Sequence, residues 1–329
     1  MNKPIRIAVT GAAGQIGYSL LFRLASGEVF GKDTPVILHL IELPQAIQAA
    51  EGVAMELHDC AFESLHAVEI FDNPTAGFEG VHWALLVGSS PRRAGMLRKE
   101  LISINAPIFV DQGKALLKAD TSIRCVVVGN PCNTNALIAL SHAQDIPSSR
   151  FYAMTALDET RAKYQLADKA GCSVKDVRKL AIWGNHSNTM VPDYENTLIN
   201  GKPLREMIQD ETWLNKTFMS TVQERGAQII QARGKSSAAS AASACIHHLK
   251  AATAITPADD VFSAAVLSDN NPYDIASGLV FSFPLQFDHA GNHSIYPGLA
   301  HSSALKDKIR HTEQDLLNER EVVKDFLTS

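Results

Sequence analysis

The chain reads as an α/β protein: a doubly wound parallel sheet over residues 1–155, followed by a mixed α+β domain over residues 156–329. Three observations predict this. Short β-rich runs alternate with segments of helical period through the first half. Three glycines stand where the first strand meets the first helix. After about residue 155 the alternation gives way to longer helices mixed with hairpins. At 329 residues the chain exceeds what one hydrophobic core usually organises, so two domains are expected.

The β-rich runs of the first half are 5–9, 36–41, 67–71, 81–87 and 125–128. Between them, 46–57 places Ile47, Ala50, Val53, Ala54 and Leu57 on one stripe, as a helix covering a sheet does. Pro107, inside the apolar run 101–109, predicts a kink or break, because proline lacks the N–H that a helix interior needs. In the second half, 157–161 opens a helix and 180–183 reads as a strand. Asn200-Gly201 is a hairpin turn signal, and 218–230 and 236–249 are Ala-rich and helical in period. There is no internal repeat, although 236–244 is biased to Ser and Ala.

The first strand runs straight into Gly11-Ala12-Ala13-Gly14-Gln15-Ile16-Gly17. Glycine lets the backbone turn sharply and approach a ligand, and the N–H groups of the helix start attract phosphate. The spacing is G-x-x-G-x-x-G, a variant of the commoner dinucleotide fingerprint. The second strand ends in Glu42, about 25 residues past Gly17, where an acid can bind a ribose diol. The residues that follow, Leu43-Pro44-Gln45, supply no arginine for a 2′-phosphate, so a Rossmann-type site for NAD rather than NADP is expected.

Composition narrows the partners. Charged residues make up 20% and the net charge is −5, which gives no basic field for nucleic acid. No apolar run approaches the roughly 20 residues of a membrane span, and Met1-Asn2-Lys3-Pro4 leads directly into the first strand, so a cytoplasmic protein is expected. The five cysteines are scattered without a C-x-x-C pair, which predicts reduced, structural thiols. His247-His248, His289 and His293 lack a carboxylate and cysteine set at ligand spacing, so no metal is expected.

Chemistry concentrates in three places. The strand 81–87 ends in Gly88-Ser89-Ser90-Pro91-Arg92-Arg93-Ala94-Gly95-Met96-Leu97-Arg98-Lys99. Ligands bind beyond the carboxyl ends of parallel strands, so this segment is either a substrate-binding lid or a solvated basic loop. Asp158 and Arg161 lie three apart on one helix face, either as a surface ion pair or as a clamp in which Arg161 takes a carboxylate. The strand 180–183 runs into Gly184-Asn185-His186-Ser187. Histidine suits proton transfer near neutrality, and Asp158 is the candidate to orient it, against the plainer reading of a structural histidine.

Taken together, these motifs resemble the cytosolic-type malate dehydrogenases of the lactate/malate dehydrogenase superfamily, essentially end to end. The resemblance is carried by Thr10 to Gly17, Pro91 to Lys99, Val128-Gly129-Asn130-Pro131-Cys132-Asn133-Thr134-Asn135, Leu157-Asp158 with Arg161, Trp183 to Ser187, and Arg233-Gly234-Lys235-Ser236-Ser237-Ala238-Ala239-Ser240. It implies that His186 takes the hydroxyl proton of malate, that Asp158 pairs with it, and that Arg161 holds the carboxylate beside the reacting carbon. It implies Arg92 on the distal carboxylate with Arg98 assisting, and Asn130 on the substrate near the nicotinamide. Val128, Gly129, Asn130 and Pro131 would lie beside the cofactor, with Asn105 and Gln112 as further cofactor contacts. An Asn130-Pro131 bond that is cis in relatives, a homodimer and a place in the tricarboxylic acid cycle are implied as well.

The chain departs from the family where many relatives have Arg-Leu-Asp-His-Asn-Arg and this one has Ala156-Leu157-Asp158-Glu159-Thr160-Arg161. Glu159 adds a negative charge next to Asp158 and puts the surroundings of the pair, and the subunit contact of this helix, in question. Cys132 stands where relatives often have alanine. Rival readings fail on particular residues. No tyrosine has a lysine four positions on, which excludes a short-chain dehydrogenase, and Gly234-Lys235-Ser236 lacks the P-loop glycine because position 229 is Ile229. A lactate dehydrogenase is set aside by Arg92, and a sensor that has lost catalysis by the retained His186, Asp158, Arg161 and Arg92.

Overall fold

A computed structural model describes residues 3–91 and 96–328. The chain forms two compact units: one built on the stretch ending at Ala153 with Ala238–Lys250 and the stretch from Glu319, the other on Met154–Ser237 and Ala251–Asn318.

The first unit alternates strand and helix: β1 (Ile5–Thr10), α1 (Gln15–Ala25), β2 (Val36–Ile41), α2 (Ile47–Asp59), β3 (Leu65–Phe71), α3 (Pro74–Gly77), β4 (Trp83–Leu86), α4 (Arg98–Ala115), β5 (Arg124–Val127), α5 (Cys132–Ser141) and β6 (Phe151–Ala153). Its strands lie in the order β6-β5-β4-β1-β2-β3, all parallel. Every residue of β2 is buried, which is why that run carries no polar alternation. The order reverses between β1 and β4, and open sheets of this kind take ligands beyond the strand ends at such a point. There the backbones of Gly11 and Gly88 meet: Gly11 has φ +65°, and a Cβ on it would stand 2.7 Å from the Gly88 Cα.

Two local expectations are tested in this unit. Helix α2 buries Ala50, Val53, Ala54 and Leu57 of the predicted stripe, while Ile47 at its start is only half-buried. Pro107, by contrast, does not break its helix, since α4 continues from Arg98 through Ala115. Proline inside a helix costs about 3 kcal/mol. Leu101, Ile102, Ala106 and Phe109 are all buried around it, and burying even two such side chains offsets that.

The second unit opens with α6 (Ala156–Ala170), then β7 (Val177–Arg178), β8 (Ile182–Trp183), β9 (Val191–Pro192), β10 (Leu198–Ile199), β11 (Lys202–Pro203), α7 (Leu204–Met207) and α8 (Met219–Arg233). The Asn200-Gly201 turn joins β10 to β11 with φ of 53° and 74°, as a two-residue hairpin requires. Helix α9 (Ala239–Ala252) belongs largely to the first unit. The second unit resumes with β12 (Phe262–Leu267), β13 (Val280–Phe287), β14 (His293–Ile295) and α10 (Ser303–Val322). Strands β12, β13 and β14 form an antiparallel set, and β8 docks on it through a bridge between Gly184 and Ser282.

Among the described residues, no helix is long and apolar enough to cross a membrane and no cluster of His, Cys, Asp or Glu could hold a metal. None of the five cysteines is in a disulfide. Burial pushes the Cys125 thiol up, and that of Cys245 to about 12.

Candidate active site

Asp158 and Arg161 lie one turn apart on α6, as their spacing predicts, but they are not a surface pair: the Asp158 side chain is fully buried and that of Arg161 is 13% exposed. The two carboxylate oxygens are divided. Oδ2 meets Nδ1 of His186 at 2.5 Å, and Oδ1 accepts from Nη1 of Arg161 at 3.4 Å. Nη2 of Arg161 donates to the Ser237 hydroxyl at 3.1 Å. Burial pulls the Arg161 pKa below its usual value, and the Asp158 carboxylate opposes that. A buried carboxylate costs several kcal/mol in lost hydration, so this one is tolerable because both oxygens are engaged.

The relative position of Asp158 and His186 is set by side chains that the sequence motifs do not mark. Thr155, just before α6, shares a 2.7 Å hydrogen bond with the Ser282 hydroxyl, while the Ser282 backbone exchanges two bonds with Gly184. Glu159 bears on one part of the departure from the family pattern, the surroundings of Asp158. It is fully buried and aimed away from Asp158: one oxygen accepts the Ser263 N–H at 2.6 Å, and the other meets Nζ of Lys163 at 2.8 Å. Burial alone would lower the Lys163 pKa, but the Glu159 and Asp260 carboxylates outweigh it and leave it raised. The Ser263 hydroxyl in turn accepts the Ile182 N–H at 3.0 Å, so α6, β12 and β8 are pinned to one another.

In the first unit the glycine turn has the features a dinucleotide needs. Helix α1 begins at Gly14 without a side-chain cap, which leaves the helix start to an anionic ligand. Glu42 lies on the turn: its Oε1 accepts the Ala13 N–H at 2.8 Å, and no basic side chain stands at positions 43–45. Ala12 and Gly17 are buried, Gly14 and Gln15 are exposed, and Ala13 and Ile16 lie between. These residues fit NAD.

Val128 and Gly129 continue β5, and both N–H groups donate to the Leu86 carbonyl at 2.9 Å. Asn130 is exposed, and the Asn130-Pro131 bond is cis. Asn105 is fully buried and ties backbone together: it accepts the Ser90 N–H at 2.8 Å and donates to the carbonyls of Leu101, Ser90 and Asn130. Gln112 is buried on the same helix, its Oε1 without a partner among the described residues. Arg98 begins α4, and its Nε donates to Glu319 at 2.5 Å, a carboxylate that also accepts from the Thr134 hydroxyl. Arg92 lies outside the described residues.

The structure thus brings His186, Asp158 and Arg161 together in the second unit, and gathers the glycine turn with Glu42 in the first. Sequence reasoning missed Ser263, Ser282 and Glu319. Ser237 alone carried a signal, through the Arg233 to Ser240 motif.

This arrangement of a parallel nucleotide-type sheet and a His-Asp-Arg set around one buried carboxylate belongs to a defined family. The lactate/malate dehydrogenase NAD-binding domain matches residues 5–151 and the α/β C-terminal domain matches residues 155–327, so the chain is a member of the lactate/malate dehydrogenase family. It is an NAD-dependent oxidoreductase.

Among its relatives is a malate dehydrogenase of Magnetococcus marinus, 55% identical over 327 residues and 99% of each chain. Among solved structures, a malate dehydrogenase from Naegleria fowleri is 42% identical with a TM-score of 0.95, covering 99% of this chain and 100% of that one. A lactate dehydrogenase of Trichomonas vaginalis, in complex with NADH and oxamate, is 38% identical with a TM-score of 0.93 over 98% of both chains.

Proposed function

We propose that the chain catalyses reversible hydride transfer between (S)-malate and NAD, giving oxaloacetate and NADH. The observation that carries this is the buried contact between Asp158 and His186, with Arg161 on the same carboxylate. With Asp158 accepting the Nδ1 proton, the lone pair of neutral His186 is on Nε2, which takes the substrate hydroxyl proton; general base help of this kind is worth about 10² to 10⁴ in rate. Arg161 binds the carboxylate next to the reacting carbon, and each charge-assisted hydrogen bond there contributes roughly 1.5 to 3 kcal/mol. NAD, when bound, accepts the hydride from C2. Oxaloacetate reduction is the reverse, with protonated His186 as the acid.

In this reading residues 1–155 serve the coenzyme and residues 156–329 the substrate, with Arg92, Arg98 and Asn130 as substrate contacts from the first stretch. Arg98 keeps its Nε on Glu319 and turns Nη2, which has no hydrogen-bond partner among the described residues, to the distal carboxylate. Gly11, Ala12, Ala13, Gly14, Gln15, Ile16 and Gly17 receive the pyrophosphate, Glu42 the adenosine ribose, and Asn105, Gln112, Val128 and Gly129 shape the nicotinamide end. A cytoplasmic homodimer working in the tricarboxylic acid cycle completes the proposal. Exposed Tyr18 and Met55 are apolar side chains that a partner copy would cover, and sedimentation of the purified protein tests it.

The choice between malate and lactate rests on Arg92, because a dicarboxylate needs a second cation that a monocarboxylate does not. The similarity to the Trichomonas vaginalis enzyme makes lactate the second reading. Comparing oxaloacetate with pyruvate, using NADH and then NADPH, decides it: oxaloacetate with NADH should give the highest kcat/KM. Arg92→Gln should shift preference towards pyruvate, and an unchanged ratio would place specificity elsewhere. His186→Ala should abolish turnover while leaving NADH affinity intact. Near-normal kcat in that variant would remove His186 from the mechanism.

A further inference from the structure

Resting on the reaction proposed above, we infer that Asp315 is a positioning residue for His186, and that it acts by holding the loop that carries the imidazole onto helix α10. The loop leaves β8 at Gly184, whose φ of +93° and lack of room for a Cβ (2.1 Å from Thr312 Cγ2) let it lie directly against α10. Three side chains of that loop then converge on one carboxylate oxygen. Oδ2 of Asp315 accepts from Nδ2 of Asn185 at 2.9 Å, from the Ser187 hydroxyl at 2.9 Å and from the Thr189 hydroxyl at 3.0 Å. One turn earlier, the buried Thr312 hydroxyl accepts the Asn185 N–H at 2.9 Å.

The residues on both sides of His186 are therefore fixed to α10, one by its backbone and side chain, the other by its hydroxyl. Asp158 orients the imidazole through Nδ1, but a hydrogen bond to the ring cannot by itself fix where the backbone presents that ring. Asp315 supplies this second constraint. A carboxylate suits the task because it only accepts, and every group facing that oxygen is an N–H or O–H donor. An apolar residue at 315 would leave those donors to find other partners and release the loop. A displacement of about 1 Å at a reacting group costs on the order of 10² in rate.

The test uses the whole protein and two independent readouts. The first is the proton NMR signal of the His186 Nδ1–H, assigned by its loss in His186→Ala. In Asp315→Ala this signal should shift or broaden, in Asp315→Asn, which keeps an acceptor oxygen, it should change less, and neither result depends on which substrate the enzyme uses. The second is turnover of oxaloacetate with NADH and with 4-deuterated NADH. Asp315→Ala should lower kcat roughly 10²-fold, with NADH affinity unchanged and a larger deuterium isotope effect, because a misplaced acid makes the chemical step limiting.

A sharp, unshifted signal in Asp315→Ala overturns the inference. So does a fall in kcat at unchanged isotope effect that matches a fall in NADH-binding stoichiometry, since that reports fewer folded molecules. If Asp315→Ala does not fold, Thr312→Val, which removes the neighbouring anchor, must alter the same signal. A parent enzyme inactive on oxaloacetate whose signal nevertheless responds to Asp315→Ala would sink the substrate assignment and leave the positioning role standing.

Discussion

The turn at residues 11–17 and the loop at residues 184–189 both leave a strand through a glycine at positive φ with no room for a side chain, yet they are held in opposite ways. The first is supported largely by backbone: Gly11 donates to the Ile41 carbonyl and Gly14 to the Gly11 carbonyl, with the Glu42 carboxylate on Ala13. The second hangs on side chains from α10, and the strand it leaves is anchored through β12 and β13. The tasks proposed for them account for the difference. A phosphate is bound by main-chain N–H groups that any short glycine turn into a helix can present. An imidazole must be delivered to one point with one orientation, and local backbone alone does not specify that.

Breaking each loop at its glycine should give the largest effects. Gly184→Ala combines a disfavoured φ, about 1–3 kcal/mol, with overlap on Thr312, about 1–3 kcal/mol more. Thermal denaturation should show the loss of stability and steady-state assays a loss of turnover. Gly11→Ala should instead weaken NADH binding, read by fluorescence titration. Equal losses of coenzyme affinity in both variants would erase the contrast between the loops.

A smaller effect is expected from the support beneath the Asp158–His186 pair. Glu159→Gln keeps an acceptor for the Ser263 N–H but leaves the buried Lys163 ammonium without its counter-charge, a cost of about 2 kcal/mol. Denaturant unfolding measures it. An unchanged midpoint would mean that Lys163 reaches Asp260 or water instead.

The smallest effect belongs to neither loop. The Arg23 guanidinium, with help from Lys250, holds the Glu28 carboxyl at about 2 against an ordinary 4.5. Because the folded value lies below the unfolded one, this stabilisation is complete above about pH 4.5 and is lost as pH falls towards 2. Glu28→Gln should flatten the acid limb of a stability curve slightly, since the cluster is partly exposed. A steep acid limb that survives unchanged would assign acid sensitivity to other carboxylates.

How much was legible follows from the range of each interaction. Strands β1 and β2, helix α2 and the Asn200-Gly201 turn are written in nearest-neighbour pattern and were read within a few residues of their observed ends. The pairing of Asp158 with His186 was legible only because both residues sit in recognisable motifs, 28 positions apart. At Pro107 the expected break is absent because burial around α4 overrides the local rule. Glu159 could be placed only in part from its neighbours: Lys163 stands one turn away on the same helix, but its other partner is an N–H 104 residues away.

The sequence alone was enough for the first five strands of the parallel sheet, the glycine turn, the acid at the end of β2 and the spacing that puts Asp158 and Arg161 on one helix face. Each depends on residues within a turn or a strand of one another, where backbone geometry leaves few options. Only the tertiary structure decided that Glu159 faces Ser263 and Lys163 rather than Asp158, that Arg98 rests on Glu319, and that α10 grips the His186 loop through Thr312 and Asp315. Apart from Glu159 and Lys163, which stand one helical turn apart, those contacts join polar groups far apart in the chain, and such groups find their partners only when folding removes the water that would otherwise serve them equally well.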